Sequence, residues 1–423
     1  MEIVVLIGGF MLLLLLGVPC ATAMLFVSLV DILFVSELPI TLLADSMIGS
    51  VNSFTLLAVP FFVLAGSIMN RAGVTARLIN CARVLVGHFH GGTAQVSIVG
   101  CMFFSGISGS ASADAAAIGT MMIPAMKREG YDPGFAAGVV ASAATMGPII
   151  PPSIVMVIYG AITNLSIGAL FLAGFLPGIL IGLSLMIIVR LMAVRRKYPR
   201  AARVPWRYRW PVFLDALPAL LAPVIILGGM FSGMTTATEA GVIACVYGLA
   251  VGLFWYREIK LADLRLLLAE SVEMTAIPMF IVAASAVFGF MLTIHGLGEI
   301  LGGLLHGVTD SQIVFLLLVV VLLTIVGLFL DGIPALLIFV PVLLPLAQLY
   351  QVDPLQFALI VIIVIMIGTV TPPIGLQLYI AAAIARVPIG KVVAWPFVWA
   401  MTSVAVLLVF FPQIVTFIPR LFM

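Results

Sequence analysis

Two aspartates, Asp114 and Asp331, stand inside apolar stretches of this 423-residue chain, and the sequence places its other acidic residues in loops or near the ends of apolar runs. An ionisable group at bilayer depth is expensive, and by default it marks an ion or substrate pathway. The structural alternative is a carboxylate that caps a turn or satisfies stray backbone N–H groups. Serines and glycines surround Asp114: Ser105, Gly106, Ser108, Gly109, Ser110 and Ser112. Gly332 follows Asp331, with Gly327 upstream. Small residues of this kind also serve close helix packing, which accounts for the serines and glycines but not for the aspartates. Hard cations take clustered oxygens, and carbonyls and hydroxyls with a single carboxylate suit a monovalent one. Thr145 and Gly147, and likewise Gly368, Thr369 and Thr371, offer such oxygens in two Pro-rich runs.

Those runs belong to a segment that the chain contains twice. Pro124, Asp132, Pro133, Gly147, Pro151 and Pro152 recur as Pro345, Asp353, Pro354, Gly368, Pro372 and Pro373, always 221 positions later (124 to 345). A double proline in an apolar run cannot continue a helix, because each ring lacks an N–H and clashes with the preceding turn. Two broken helices are therefore predicted, over 134–163 and 354–385. Unwound backbone between half-helices supplies carbonyls for a cation, and the half-helix C-termini add negative dipole ends. A helix restarting at Ser153 or Ile374 points N–H groups back at the same cavity, which suits an anionic substrate group.

With 64% hydrophobic and 9% charged residues, the chain is far from a soluble domain, where charged residues are about 25%. Runs of roughly 20 apolar residues predict a multi-spanning helical membrane protein, and the alternating segments of a β-barrel are absent. The placement of Lys and Arg orients it. Eight lie between 190 and 209, and ten more at Arg71, Arg77, Arg83, Lys127, Arg128, Arg257, Lys260, Arg265, Arg386 and Lys391. The segments 36–52, 163–167, 231–239, 295–312 and 347–353 have none, so the basic set is cytoplasmic and these segments lie outside.

The path that follows has two halves. Residues 1–210 hold scaffold spans within 3–70 (near 3–17, 20–36 and 53–70, with a possible interfacial helix at 37–52), a re-entrant hairpin at 97–126, the broken helix 134–163, a span at 170–189 and a basic loop at 190–210. Residues 211–423 hold scaffold spans within 211–294, a charged amphipathic stretch at 257–270, a second hairpin at 312–347, the broken helix 354–385 and a span at 394–413. Each half makes five crossings, so the copies lie upside down relative to each other, with both termini periplasmic. The loops agree: MKREG at 126–130 is basic and its counterpart AQLYQ at 347–351 is not. An inverted-topology repeat with broken helices is the signature of a secondary transporter with a midplane site.

Other classes were weighed. Gly106 to Gly109 read GISG, matching the GxSG string of rhomboid-type serine proteases, and two buried aspartates suit an intramembrane aspartyl protease. The first needs a histidine base within a span, yet His88, His90, His295 and His306 fall in loops or at span edges. The second wants GxGD, and Asp331 follows GLFL. A passive anion channel is a third reading. No Walker motif is present, so ATP does not drive the process from this chain, and no nucleic acid is expected as a partner. Cys20, Cys81, Cys101 and Cys245 have no metal-like spacing.

Across essentially its whole length the chain resembles the large membrane subunit of a tripartite ATP-independent periplasmic (TRAP) transporter, the DctM/SiaM-like family. The resemblance is carried by SFTLLAVPFFVLAGSIMNRAG at 53–73, SGISGSASAD at 105–114, PIIPPS at 148–153, FLDGIPA at 329–335 and TVTPPIG at 369–375. One departure is TATEA at 236–240, where the family typically has TPTEA. The resemblance implies an all-α, elevator-type transporter that is not an enzyme and imports an organic acid, such as sialic acid or a C4-dicarboxylate, with Na+ as coupling ion. It implies a small four-helix membrane subunit and a periplasmic binding protein as partners, in a bacterial inner membrane. Carried onto this sequence, it nominates Ser108, Ser110, Asp114 and the 145–148 carbonyls, with Thr145 and Gly147, for one sodium site. Asp331, Gly332, Gly368, Thr369 and Thr371 form the other. Substrate would lie between the tips, near Ser108, Gly109, Ser110, Pro151, Ser153, Pro372 and Pro373.

Overall fold

A computed structural model describes residues 2–200, 202–306, 309–372 and 375–422, and these are helical with no strand. The chain opens with Glu2–Leu15 (α1), Cys20–Phe34 (α2), Thr41–Val51 (α3), Ala58–Arg71 (α4) and Val74–Val86 (α5). A helical hairpin follows, Gly92–Ser108 (α6) and Ala111–Arg128 (α7), then the pair Pro133–Ala144 (α8) and Ile154–Thr163 (α9), and the long Ile167–Arg195 (α10). The second half begins with Trp206–Phe231 (α11), Ala237–Ala250 (α12), Asp263–Ile294 (α13) and Leu297–His306 (α14). Its hairpin is Gln312–Phe329 (α15) and Gly332–Leu349 (α16), followed by Pro354–Gly368 (α17), Leu376–Ala385 (α18), Trp395–Phe410 (α19) and Gln413–Phe422 (α20).

Local chemistry sets these boundaries. Each Asp-Pro pair starts a helix: the Asp132 carboxylate accepts from the Phe135 N–H at 2.8 Å, and Asp353 accepts from Leu355 and Gln356 at 2.9 and 3.1 Å. Proline sits at the first helical position in both, where its missing N–H is no loss. The two Pro-Pro runs do break their helices, between α8 and α9 and between α17 and α18. At TATEA the absent proline is replaced by a capping box: Thr236 and Glu239 satisfy each other's backbone N–H groups, and α12 starts at Ala237. In the turn between α5 and α6, partial burial and the Arg203 and Arg209 guanidinia of the basic segment hold His88 below the ordinary histidine range.

The charged stretch 257–270 leads into α13, which runs unbroken from Asp263 through Ile294. Its counterpart 221 positions earlier is bent by 63° between 41–51 and 55–71. Asn52 and Ser53 stand at that bend, where the second half has the better helix formers Glu273 and Met274. In addition, α1 and α2 have 14 and 15 residues, a rise of only about 21–23 Å against roughly 30 Å of hydrocarbon. Among the described residues six helices are long and apolar enough to cross a membrane, or up to eight if each bent pair is one span.

The core is built around α17, whose residues from Gln356 to Gly368 are all buried. A helix apolar on every side has to be enclosed by others. Hairpin α15/α16 packs on it from one side, and α10, α19 and α20 from others. The halves are tied at the basic end, where Lys127 of α7 donates to the Ala385 carbonyl at the end of α18 (2.9 Å).

One buried carboxylate–histidine contact was not foreseen. Asp31 of α2 is 3% exposed, and its carboxylate faces Nε2 of His295 at 2.9 Å, while Nδ1 of the same ring meets Glu2 at 2.9 Å. The His295 side chain is 5% exposed, so this cluster clips α1 and α2 to the end of α13. Breaking a buried pair by removing one partner costs roughly 3–5 kcal/mol, because the remaining charge is uncompensated. His295→Ala should therefore lower the thermal midpoint of the detergent-purified protein, and Asp31→Asn in the same chain should recover part of the loss. An unchanged midpoint in the single variant would count against the clip.

Candidate cation and substrate site

The first hairpin turns at Gly109, which adopts a left-handed conformation (φ +61°). Ser110 then caps α7, accepting from the Ala113 N–H at 3.5 Å and lying 3.1 Å from the Ser112 hydroxyl. Asp114 is fully buried, and both its oxygens accept hydrogen bonds from α6, one from Ser105 (2.9 Å) and one from Ser108. The carboxylate thus ties the two arms of the hairpin together.

The tip lies against the first helix break. A Cβ on Gly147 would stand 2.8 Å from Asp114 Oδ2, and one on Gly109 would stand 2.9 Å from the Pro152 carbonyl oxygen. The Ile154 N–H donates to the Gly109 carbonyl (3.4 Å), Ser153 caps α9 through the Met156 N–H, and the Ser153 hydroxyl donates to the Pro148 carbonyl (2.7 Å). Thr145 turns its hydroxyl back to the Ser142 carbonyl (2.7 Å). Several carbonyls are left over. The carbonyl oxygens of Thr145 and Gly147, like those of Ile149, Ile150, Pro151 and Pro152, accept no hydrogen bond from the described residues, and all six residues are buried. Carbonyls without donors beside a carboxylate suit a hard cation.

The second tip is different. Asp331 caps α16 by position and is exposed, lining a cavity. By the constant offset it corresponds to Ser110, whereas Asp114 corresponds to the buried Ala335. The two aspartates are therefore not equivalents: one is a tie inside a hairpin and the other a carboxylate at a tip, beside the Gly332 N–H and with no ion-pair partner among the described residues. Gly332 packs on the Met366 thioether. Gly327 and Gly368 approach so closely that a Cβ on Gly327 would stand 2.8 Å from the Gly368 Cα. Thr369 and Thr371 donate their hydroxyls to the Met366 and Ile367 carbonyls at 2.7 and 2.6 Å. No hydrogen bond among the described residues joins Asp331 to either threonine. Pro373 and Ile374 lie outside the described residues.

Both tips open on one cavity of about 890 Å³, within the range of roughly 300–1,000 Å³ usual for small-molecule sites. Ser108, Gly109, Ser110 and Ser112 face Asp331 and Gly332 across it. Pro151 and Ser153 are not on its wall; they are buried behind the first tip, and Pro372 is likewise not part of the lining. The far wall is one that sequence reasoning did not nominate: Ser67, Asn70 and Arg71 of α4, and Glu270, Met274 and Pro278 of α13. The string at 53–73 contained the first three, and Gly66 within it approaches Ser108 Cα (3.5 Å from a Cβ built there). The N–H groups of α9 are also less available than expected, since Ile154 and Met156 already donate. The N-terminus of α7, by contrast, has Ala111, Ser112 and Ala113 on the cavity wall.

Charges in the lining are mostly accounted for. Arg71 pairs with Asp263 at 2.9 Å and Glu258 with Arg77 at 2.8 Å. Glu270 and Asp331 have no ion-pair partner among the described residues. No histidine lines the cavity, and the Ser108 hydroxyl is engaged by Asp114, so nothing here assembles a serine nucleophile with its base.

A backbone contact as close as that of Gly327 and Gly368 leaves no room for a methyl group. Gly368→Ala should thus force α15 from α17 and reduce folded yield and thermal midpoint, whereas Gly390→Ala, with nothing within 4 Å of its Cβ, should change neither. Equal midpoints for the two variants would contradict the packing.

Residues 7–414 match the family model described as the tripartite ATP-independent periplasmic transporter, DctM component. The chain is 37% identical over 419 residues to the sialic acid TRAP transporter large permease protein SiaM of Vibrio cholerae, covering 99% of this chain and 98% of that one. It is 40% identical over 377 residues to the C4-dicarboxylate TRAP transporter large permease protein DctM of Pseudomonas aeruginosa, covering 89% and 87%. In fold it is similar to the crystal structure of the Alcanivorax borkumensis YdaH transporter, with a TM-score of 0.63 at 15% identity, covering 96% of this chain and 97% of that one.

Proposed function

The chain belongs to the TRAP transporter family as its large permease component, and from that premise we propose that it imports an organic acid together with sodium ions by an elevator movement. As a member of that family it is a multi-pass permease of the inner membrane and a transport protein, not an enzyme. The acid is of the kind its relatives' names carry, a sialic acid or a C4-dicarboxylate. A small four-helix subunit and a periplasmic binding protein work with it, and the two halves form an inverted repeat of five crossings each, with periplasmic termini.

One observation carries the reading: the α7 N-terminus and the Asp331 carboxylate, which has no ion-pair partner among the described residues, line a single cavity. The helix end favours an anion, and Asp331 with Glu270 favours cations. With Arg71 already taken by Asp263, an acid entering alone would meet uncompensated negative charge. Cations at Asp331 and at the Thr145 and Gly147 carbonyls remove that repulsion, so anion and cation occupy the site together. Each sodium ion contributes about 2.3 kcal/mol per 100 mV of membrane potential. The lining includes Arg71 and Glu258, beside basic positions that the positive-inside rule puts at the cytoplasmic face, which supports an inward-open conformation. Transport would then carry the two hairpins, α8, α9, α17 and α18 past the wall of α4 and α13.

In proteoliposomes an inward sodium gradient should drive accumulation of one acid from a panel, and replacing sodium by potassium should abolish it; uptake only down the acid's own gradient would indicate a channel instead. Asp331→Asn should remove sodium-dependent uptake without lowering the thermal midpoint. Asp114→Ala should lower both, since it leaves Ser105 and Ser108 without their acceptor. Full uptake by both variants would contradict the assigned roles.

A further inference from the structure

The residue without a task in this account is Gln377. It stands in the first turn of α18, is 1% exposed, and belongs to the cavity lining. Its backbone N–H donates to the Thr369 carbonyl at 3.1 Å, which fixes it at the second helix break. Its side-chain oxygen is buried and has no hydrogen-bond partner among the described residues. A buried polar atom in that condition calls for an explanation. Several polar side chains around the cavity are engaged: Ser108 on Asp114, Ser110 on Ser112, and the Asn70 oxygen by Thr75 at 2.9 Å. Nor does the fold need an amide there. At the same place in the first half stands Met156, fully buried in the first turn of α9, so an apolar side chain of similar length serves that helix turn.

Resting on the transport reading above, we propose that Gln377 is a specificity-determining residue, whose side-chain amide hydrogen-bonds a hydroxyl group on the carbon skeleton of the transported acid. The unpartnered atom is an acceptor, so its ligand has to donate. A carboxylate only accepts and would face this oxygen unfavourably. A hydroxyl both donates and accepts, matching the two ends of the amide. The carboxylate is left to the α7 N-terminus, and Gln377 reads a substituent further along the molecule. A site built to hydrogen-bond a hydroxyl discriminates strongly against the analogue that lacks it, because its own polar group is then left unpaired. The permease therefore selects a hydroxylated acid over its deoxy counterpart.

The test is sodium-driven uptake in proteoliposomes that hold the chain with its small subunit, with the binding protein supplied outside, of two matched pairs, N-acetylneuraminate with its 4-deoxy analogue and L-malate with succinate. The full chain would be compared with Gln377→Met, which copies Met156 and keeps the helix turn filled. The unsubstituted protein should prefer the hydroxylated member of the pair it transports. Gln377→Met should lower uptake of that member on the order of 10- to 100-fold, the scale of one lost hydrogen bond, and leave uptake of the deoxy member undiminished or raised, since no amide then stands unpaired beside it. An unchanged preference overturns the proposal. So does an equal loss for both members, which would make Gln377 structural only, or a changed sodium dependence with an unchanged preference, which would make it a cation ligand. If the unsubstituted protein accumulates none of the four acids under a sodium gradient, the transport reading itself fails, and this assignment falls with it.

Discussion

A helix broken inside a bilayer survives only if the backbone it frees is satisfied by protein. In hydrocarbon each orphaned N–H or carbonyl costs several kcal/mol. The break between α8 and α9 meets this demand by docking on a hairpin tip: the Gly109 carbonyl takes the Ile154 N–H, and Ser153 takes both the Met156 N–H and the Pro148 carbonyl. Everything else at the site depends on that clasp. It requires a glycine at the turn of the hairpin, where a side chain would meet the Pro152 carbonyl, and a glycine at 147, where one would meet Asp114. It also decides which groups stay free. After the Met146, Pro148 and Ser153 carbonyls are taken, the Thr145 and Gly147 carbonyls are among those still open to a cation.

The second half solves the same problem by other means. There the hairpin crosses its broken helix glycine to glycine, at Gly327 and Gly368, and no carboxylate enters the contact. The carboxylate sits one helix cap away, at Asp331, facing the cavity. One half thus spends its aspartate on holding a hairpin shut, and the other presents its aspartate to whatever fills the cavity. A site assembled from two such halves carries its polarity asymmetrically, with an anion-favouring helix end on one tip and a cation-favouring carboxylate on the other.

Much of this was legible in the chain. The Pro-Pro runs read as helix breaks because proline leaves no alternative. The glycine and serine run before Asp114 read correctly as a tight hairpin. Other features were not legible, for reasons that are physical. Nothing local distinguishes Asp114 from Asp331; only the register of the repeat shows that one matches Ala335 and the other Ser110. Asp31 looked like a residue near a span end, since its partner His295 is far along the chain and only packing brings them together. The unbroken course of α13 opposite the bent pair α3 and α4 turns on two residues, Asn52 and Ser53, whose preferences are too weak to read alone. The α4 and α13 wall, and Gln377 among its neighbours, became visible only once a cavity enclosed them.

The central claim is that freed carbonyls and carboxylates at the hairpin tips hold sodium. It is tested most directly by amide hydrogen exchange on the purified chain in sodium chloride against potassium chloride at equal ionic strength. The account predicts slower exchange in sodium at the first tip and break, 109–114 and 145–153, and at the second tip, 330–333, with α5 and α11 unchanged. Identical exchange at those segments in the two salts would contradict it.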